Sequence, residues 1–210
     1  MTLQLERIRF LLTPFMGSES LSPAQLVQVS SYLDLLLRWN SKINLSAIRN
    51  PRDIVVRHFG EAFFAARHVF PAVPEKAMVL DIGSGAGFPG LPLRLWNEAA
   101  MLTLIESHGK KATFLREVVR TLKLKDVKVL NKRVQDVSMK GDLVVIRAVE
   151  QFESVLPEVR RLVSSGKRIA LLIGSMQLRT VSYRLDDFVW HTPVPVPLSD
   201  NRVLLIGDAP

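Results

Sequence analysis

The sequence predicts a doubly wound α/β domain, a mostly parallel sheet covered on both faces, preceded by a helical N-terminal cap. Three observations carry this. Near-continuous apolar runs alternate with amphipathic stretches from Pro71 onward, the texture of parallel strands buried between helices. A glycine-rich loop follows the first run, at the position where such folds turn from strand to helix. The first seventy residues, by contrast, carry helical periodicity. A length of 210 residues gives one compact unit, divided here into a helical extension at 1–70 and a core at 71–210.

Thr2 to Thr13 reads as a short amphipathic helix closed by Pro14 and Gly17. Ser22 is the expected cap of a second helix, with Pro23 in its first turn and Leu26, Val29, Leu33, Leu36 and Leu37 at helical spacing up to Trp39. A polar connection from Asn40 to Asn50 leads to Pro51, which opens a third helix through Val56, Phe59, Phe63 and Ala66. The expected strands are 77–82, 101–105, 127–130, 143–146, 167–173 and 203–206, and the helices between them 91–96, 110–122, 152–163 and 176–185. Pro193, Pro195 and Pro197 exclude a central strand there and suit an edge or a crossover.

Composition narrows the function. With 48% apolar and 23% charged residues the chain is an ordinary globular protein, and disorder is excluded. It has no cysteine, which removes disulfide frameworks, thiolate metal sites and a cysteine nucleophile. Glu6, Arg7 and Arg9 interrupt the apolar pattern of the N-terminus, so neither a signal peptide nor a membrane span is expected there, and the expected location is the cytoplasm. The four histidines, His58, His68, His108 and His191, lack metal-ligand spacing, so no metal is expected. His58 stands out through its place beside Arg57.

The net charge is +8, and the excess is clustered. Lys110, Lys111, Arg116, Arg120, Lys123, Lys125, Lys128, Lys132 and Arg133 face only Glu117 and Asp126, +7 within 24 residues. A second basic stretch runs from Arg38 to Arg57. Such clusters attract polyphosphate through counterion release, and equally suit a solvated helix face.

The loop Asp81-Ile82-Gly83-Ser84-Gly85-Ala86-Gly87-Phe88-Pro89-Gly90 carries the most information. Its second half satisfies the dinucleotide fingerprint, which alone is weak. Three features favour S-adenosylmethionine over a nicotinamide. Asp81 at the strand tip repels a pyrophosphate and suits an ammonium. The glycines at 83, 85 and 87 follow D-x-G-x-G-x-G. The Tyr-x-x-x-Lys pair of short-chain dehydrogenases is absent, since Leu36 follows Tyr32 and Asp187 follows Tyr183 at that spacing. Glu106, ending the second strand, is placed to accept ribose hydroxyls. The fold expected is then the Rossmann-like class I methyltransferase.

The acceptor follows partly by elimination. Carbon 5 of a pyrimidine needs a cysteine adduct, and an exocyclic amine usually calls for an Asn/Asp-Pro-Pro-aromatic motif where this chain has Ile146-Arg147-Ala148-Val149. A ring nitrogen such as guanine nitrogen 7 already offers its lone pair and needs positioning rather than a base. A small-molecule methyltransferase and a non-catalytic RNA-binding protein on the same scaffold stay open as alternatives.

Between Tyr32 and Ile206 the chain resembles the bacterial methyltransferase G family of the small ribosomal subunit, also called glucose-inhibited division protein B. The resemblance lies in Leu37-Arg38-Trp39-Asn40-Ser41-Lys42-Ile43-Asn44-Leu45, in Val56-Arg57-His58, in Asp81 to Gly90 extended by Leu91-Pro92-Leu93, and in Arg202-Val203-Leu204-Leu205-Ile206. It implies methylation of nitrogen 7 of a guanine in small-subunit ribosomal RNA. Separately, a monomer that works without a membrane is expected. No catalytic base is assigned. The implied cofactor contacts are Gly83, Gly85, Phe88, Glu106, Ser107, His108, Val134, Gln135 and Arg147, and the RNA contacts expected are Arg202, Lys123 and Lys125. Where many members carry Ser-Arg-Ala, Val-Glu and Lys-Gly, this chain has Ile146-Arg147-Ala148, Val134-Gln135 and Ile173-Gly174. Trp39 is expected to anchor the N-terminal helices, and Arg147 has Glu150 as an alternative partner.

Overall fold

The computed structural model describes residues 3–147 and 152–210. Helix α1 spans Leu5–Met16 and α2 Pro23–Asn40. Pro14 lies inside α1 rather than ending it. Its φ is already helical, so in the last turn it removes one hydrogen bond and the chain reverses only at Gly17. The cap of α2 is as the sequence indicates. Ser22 Oγ accepts from Gln25 N at 3.2 Å, while Gln25 Oε1 accepts from Ser22 N at 2.8 Å.

The expected third helix comes in three consecutive pieces: α3 Pro51–Ile54, a π-helical turn Val55–Gly60, and α4 Glu61–Val69. The wider turn shifts the apolar register, and it carries Arg57 and His58. Single π-turns of this kind are frequent at functional sites.

Strands β1 Met78–Ile82, β2 Met101–Ile105, β3 Val127–Leu130, β4 Gly141–Arg147, β5 Val163–Gly174, β6 Val189–Trp190, β7 Val194–Pro195 and β8 Arg202–Asp208 form one sheet. Its order is β3-β2-β1-β4-β5-β8-β6, with β7 also on β8. The first five strands are parallel, and β8 runs antiparallel to β5. Helices α5 Gly90–Trp96 and α6 Gly109–Thr121 cover one face, and α7 Phe152–Leu162 and α8 Leu178–Arg184 the other. The two-residue strands β6 and β7 are too short for a periodic signal. Pro195 sits in β7, off the main path of the sheet.

One continuous apolar cluster joins the cap to the sheet. Ile8, Phe15, Leu33 and Phe63 pack with Leu91, Phe114, Leu143 and Leu172. Alternation within the strands feeds both faces, Val79 and Val145 on the cap side and Leu80 and Val144 on the other. Ile173 is buried in the second cluster, so an apolar packing residue stands where many family members have lysine. Among the described residues no helix is long and apolar enough to cross a membrane.

Candidate active site

The glycine loop sits where β1 meets α5 at the carboxyl ends of the parallel strands, the ligand-binding end of such sheets. Gly83 N and Ser84 N both donate to Ile105 O, at 2.9 and 3.1 Å, tying the loop to the end of β2. Gly87 has φ +89, and a Cβ there would strike the Tyr32 hydroxyl and come within 2.5 Å of Leu91 Cδ1. Only glycine lets α2 approach the loop this closely. Tyr32 uses the space: its hydroxyl donates to Ala86 O and its ring stacks on Phe88, 5.2 Å between centroids and 2° from parallel. Phe59 meets both rings edge-on, at 5.1 and 5.0 Å, and His58 stacks on Phe88 at 4.9 Å.

Glu106 is buried at the tip of β2. Its Oε2 accepts from Gly85 N at 2.8 Å and its Oε1 from His108 N at 2.7 Å. Each oxygen keeps a lone pair for a ligand hydroxyl. Asn131 Nδ2 donates to both Glu106 O and Ser107 O at 2.9 Å, fixing the loop that carries them.

Around this loop lies a cleft of about 830 Å³. Gly83, Gly85, Phe88, Glu106, Ser107, His108, Val134, Gln135 and Arg147 all line it, as do Leu45, Ser46, His58, Lys111, Lys132 and Arg133. Gln135 thus stands on the wall where many members have glutamate. Three residues expected as RNA contacts do not line the cleft. Arg202, 27% exposed at the start of β8, reaches Glu61 in the cleft wall at 3.0 Å. Lys123 and Lys125 lie just before Asp126, whose carbonyl accepts from Leu102 N at the start of β2. That is the opposite end of the sheet, about 15 Å from the cleft at strand rise. The basic stretch is continuous in sequence because helix α6 runs the length of the strands, so its cations are delivered to both ends.

Asp81 also differs from expectation. It is fully buried and outside the cleft lining, with Oδ2 accepting from Gly90 N at 3.2 Å under the start of α5. Its other oxygen, Oδ1, has no partner among the described residues. Burial raises its pKa to about 7, against the lowering effect of the Gly90 amide. It therefore shapes the loop from beneath rather than facing an ammonium directly.

The wall on the cap side is built around Glu61, a carboxylate 1% exposed. Arg57 Nε reaches Oε1 at 2.9 Å, and Arg147 Nη2 and Arg202 Nη1 each reach Oε2 at 3.0 Å. Arg147 also donates to Arg57 O at 2.6 Å and from Nη1 to His58 at 3.0 Å. With Nε on Glu61 at 3.3 Å, four of its five N–H groups are engaged within the protein. Arg147 thus holds the wall in shape, and Glu150 lies outside the described residues. The sequence reading missed Glu61, Asn131 and Ser46. Glu61 left one signal, its place four residues after Arg57, where helical spacing pairs an acid with a cation.

Trp39 packs edge-on to Phe114 at 5.7 Å and donates to Glu117 Oε2 at 2.9 Å, the anchoring role expected of it. No group of three His, Asp or Glu side chains suited to a metal occurs among the described residues.

The donor set suits S-adenosylmethionine. Glu106 offers carboxylate oxygens for ribose hydroxyls, Val134 and Ile105 offer apolar walls for a purine, and the Gly83–Gly85 backbone leaves room for the amino-acid end. Gly85 has only Gly83 O within 4 Å of a would-be Cβ, at 3.7 Å. A long side chain there enters the cleft. Gly85→Arg is expected to weaken S-adenosylmethionine binding at least a hundredfold in calorimetry while far-ultraviolet circular dichroism stays unchanged.

Comparison with known proteins agrees with this geometry. The family profile described as rRNA small subunit methyltransferase G matches residues 25–195. A ribosomal RNA small subunit methyltransferase G of Oenococcus oeni is 35% identical over 158 residues, covering 72% of this chain and 65% of that protein, just under two thirds of its length. One from Xylella fastidiosa is 36% identical over 185 residues, 86% of this chain and 85% of that one. In fold, the ribosomal protein L11 methylase of Lactobacillus delbrueckii superposes with a TM-score of 0.61 at 15% identity, over 74% of this chain and 80% of that structure. A fold of this class and a profile match over most of its length leave one assignment: the chain belongs to the rRNA small subunit methyltransferase G family.

Proposed function

We propose that this protein methylates nitrogen 7 of a guanine in small-subunit ribosomal RNA, with S-adenosylmethionine as the donor. The observation that carries the reading is the cleft itself, in which the glycine loop and Glu106 form one wall and the Arg57-His58 turn of the cap the other. Bound S-adenosylmethionine supplies an electrophilic methyl group on a sulfonium. The guanine supplies the N7 lone pair, one C–S bond is exchanged for one C–N bond, and the positive charge passes to the purine. No proton leaves N7, so no side chain is needed as a base. The chain's work is to hold two reactants in line and keep water out. Glu106 and the Gly85 amide bound to it fix one reactant. The ring stack Tyr32-Phe88-His58 forms the floor under the other.

Lys111, Lys132 and Arg133 at the cleft rim are the cations that would meet RNA phosphates beside the target, in place of Lys123 and Lys125. The test is transfer of labelled methyl to ribosomal particles, followed by mass spectrometry of the digested RNA. The expected product is 7-methylguanosine, and methylated adenine or cytosine, or no transfer, overturns the reading. Binding is expected to fall log-linearly with salt. Lys132→Glu with Arg133→Glu should weaken RNA binding about tenfold or more and flatten the salt slope, by roughly one unit for each phosphate no longer neutralised. Lys123→Glu with Lys125→Glu should change it far less.

A further inference from the structure

Ser46 follows α2 in a loop organised by Asn40. Asn40 Oδ1 accepts from Ser46 N at 3.0 Å, and Asn40 Nδ2 donates to Ser46 O at 2.9 Å. The residue is thereby held at the cleft beside His58. Ile48 N donates to Ser46 Oγ at 3.1 Å, and His58 Nε2 lies 2.7 Å from the same oxygen.

The direction of that second bond is fixed from the far side of the ring. Arg147 Nη1, which can only donate, stands 3.0 Å from His58 Nδ1. Nδ1 must therefore carry the lone pair, and in the neutral ring Nε2 carries the hydrogen. Ser46 Oγ accepts from both Ile48 and His58, which fills its two lone pairs. Its own hydrogen has no partner among the described residues. A hydroxyl in that state can only donate.

We propose that Ser46 donates a hydrogen bond to oxygen 6 of the target guanine and so selects guanine over adenine. The inference rests on the guanine N7 reading above. Both purines present an N7 lone pair, and they differ beside it, where guanine has an accepting oxygen and adenine a donating amine. A freely rotating serine serves either base. A serine locked as a donor turns its hydrogen against the amine hydrogen of adenine. Burial, together with Arg147 and Arg202, lowers the His58 pKa to about 3, so the ring stays neutral and the lock holds across the neutral range. The bond selects and orients the base. It does nothing for the positive charge arriving on the ring, so its loss is expected in kcat/KM through misplacement of N7.

The experiment uses ribosomal particles in which the mapped guanine is replaced by 2-aminopurine, which keeps N7 and has hydrogen at position 6. The wild-type enzyme should lose about 10- to 100-fold in kcat/KM on this substrate, the effect of leaving one locked donor without its acceptor. Ser46→Ala should lose a similar factor on guanine and nothing further on 2-aminopurine, and Ser46→Thr should regain most of it. S-adenosylmethionine affinity should be the same in all three proteins. Losses that multiply, full activity of Ser46→Ala on guanine, or an undiminished wild-type rate on 2-aminopurine each overturn the proposal. The last of these does so without any variant. If the wild type makes no 7-methylguanosine on natural particles, the functional reading itself has failed. Methylation of guanine with multiplying losses removes only the role of Ser46.

Discussion

Replacing Glu61 with alanine is expected to lower the unfolding free energy by about 3–5 kcal/mol, the cost of stranding a buried ion. Glu61 is 1% exposed and the Arg147 side chain 7% exposed, with Arg57 and Arg202 on the same carboxylate. Removing the anion leaves three guanidinium groups facing one another, and Arg147 stays charged at neutral pH. The urea midpoint at neutral pH reads the loss. A second variant separates this from simple cavity formation. Glu61→Ala combined with Arg147→Met removes the stranded charge and should recover a substantial part of the stability. If the double variant is no more stable than the single one, the ion is not the cause.

A comparable effect is expected from pH acting on two buried groups of opposite kind. The Asp81 carboxyl is raised from its ordinary 3.8 to about 7, chiefly by burial. The stability it contributes is complete below pH 3.8 and is lost as pH rises through 7. His58 is lowered from 6.5 to about 3, again chiefly by burial. Its contribution is complete above pH 6.5 and is lost as pH falls through 3. Between about pH 4 and 6.5 the two slopes oppose each other, each near 1.4 kcal/mol per pH unit. The pair should therefore leave the wild-type stability nearly level across that window. Asp81→Asn should become progressively less stable from pH 6.5 down to 4, by about 3 kcal/mol in all. His58→Gln should tilt the other way. Urea unfolding at four pH values checks both, and parallel profiles for all three proteins would sink the assignment of these two groups.

Much of the fold was legible because its signals are local. The apolar runs marked the six longer strands to within a few residues, and Ser22 and Pro23 announced the start of α2. The glycine loop and Glu106 were equally legible, since a strand, a tight turn and an acid twenty-odd residues later describe one place in space. What stayed illegible were features that depend on where the chain returns. Glu61 lies 86 residues from Arg147 and 141 from Arg202, and no periodicity links them. The π-turn at Val55–Gly60 reads as ordinary helix because it differs by one residue per turn. Lys123 and Lys125 looked equivalent to Lys111 and Lys132 because net charge along a segment ignores that a helix and a strand carry its ends apart.

The stack of Tyr32 on Phe88 makes the N-terminal helices and the glycine loop mutually dependent. A ligand that needs the loop in this shape binds only molecules in which α2 is docked. Occupancy at a hundred times the dissociation constant then adds about 2.7 kcal/mol to the docked state. Reciprocity works in reverse as well, so any change that loosens the cap weakens the ligand by the same factor. Helix α2, which contributes no residue to the cleft lining, is in this way part of the ligand's affinity.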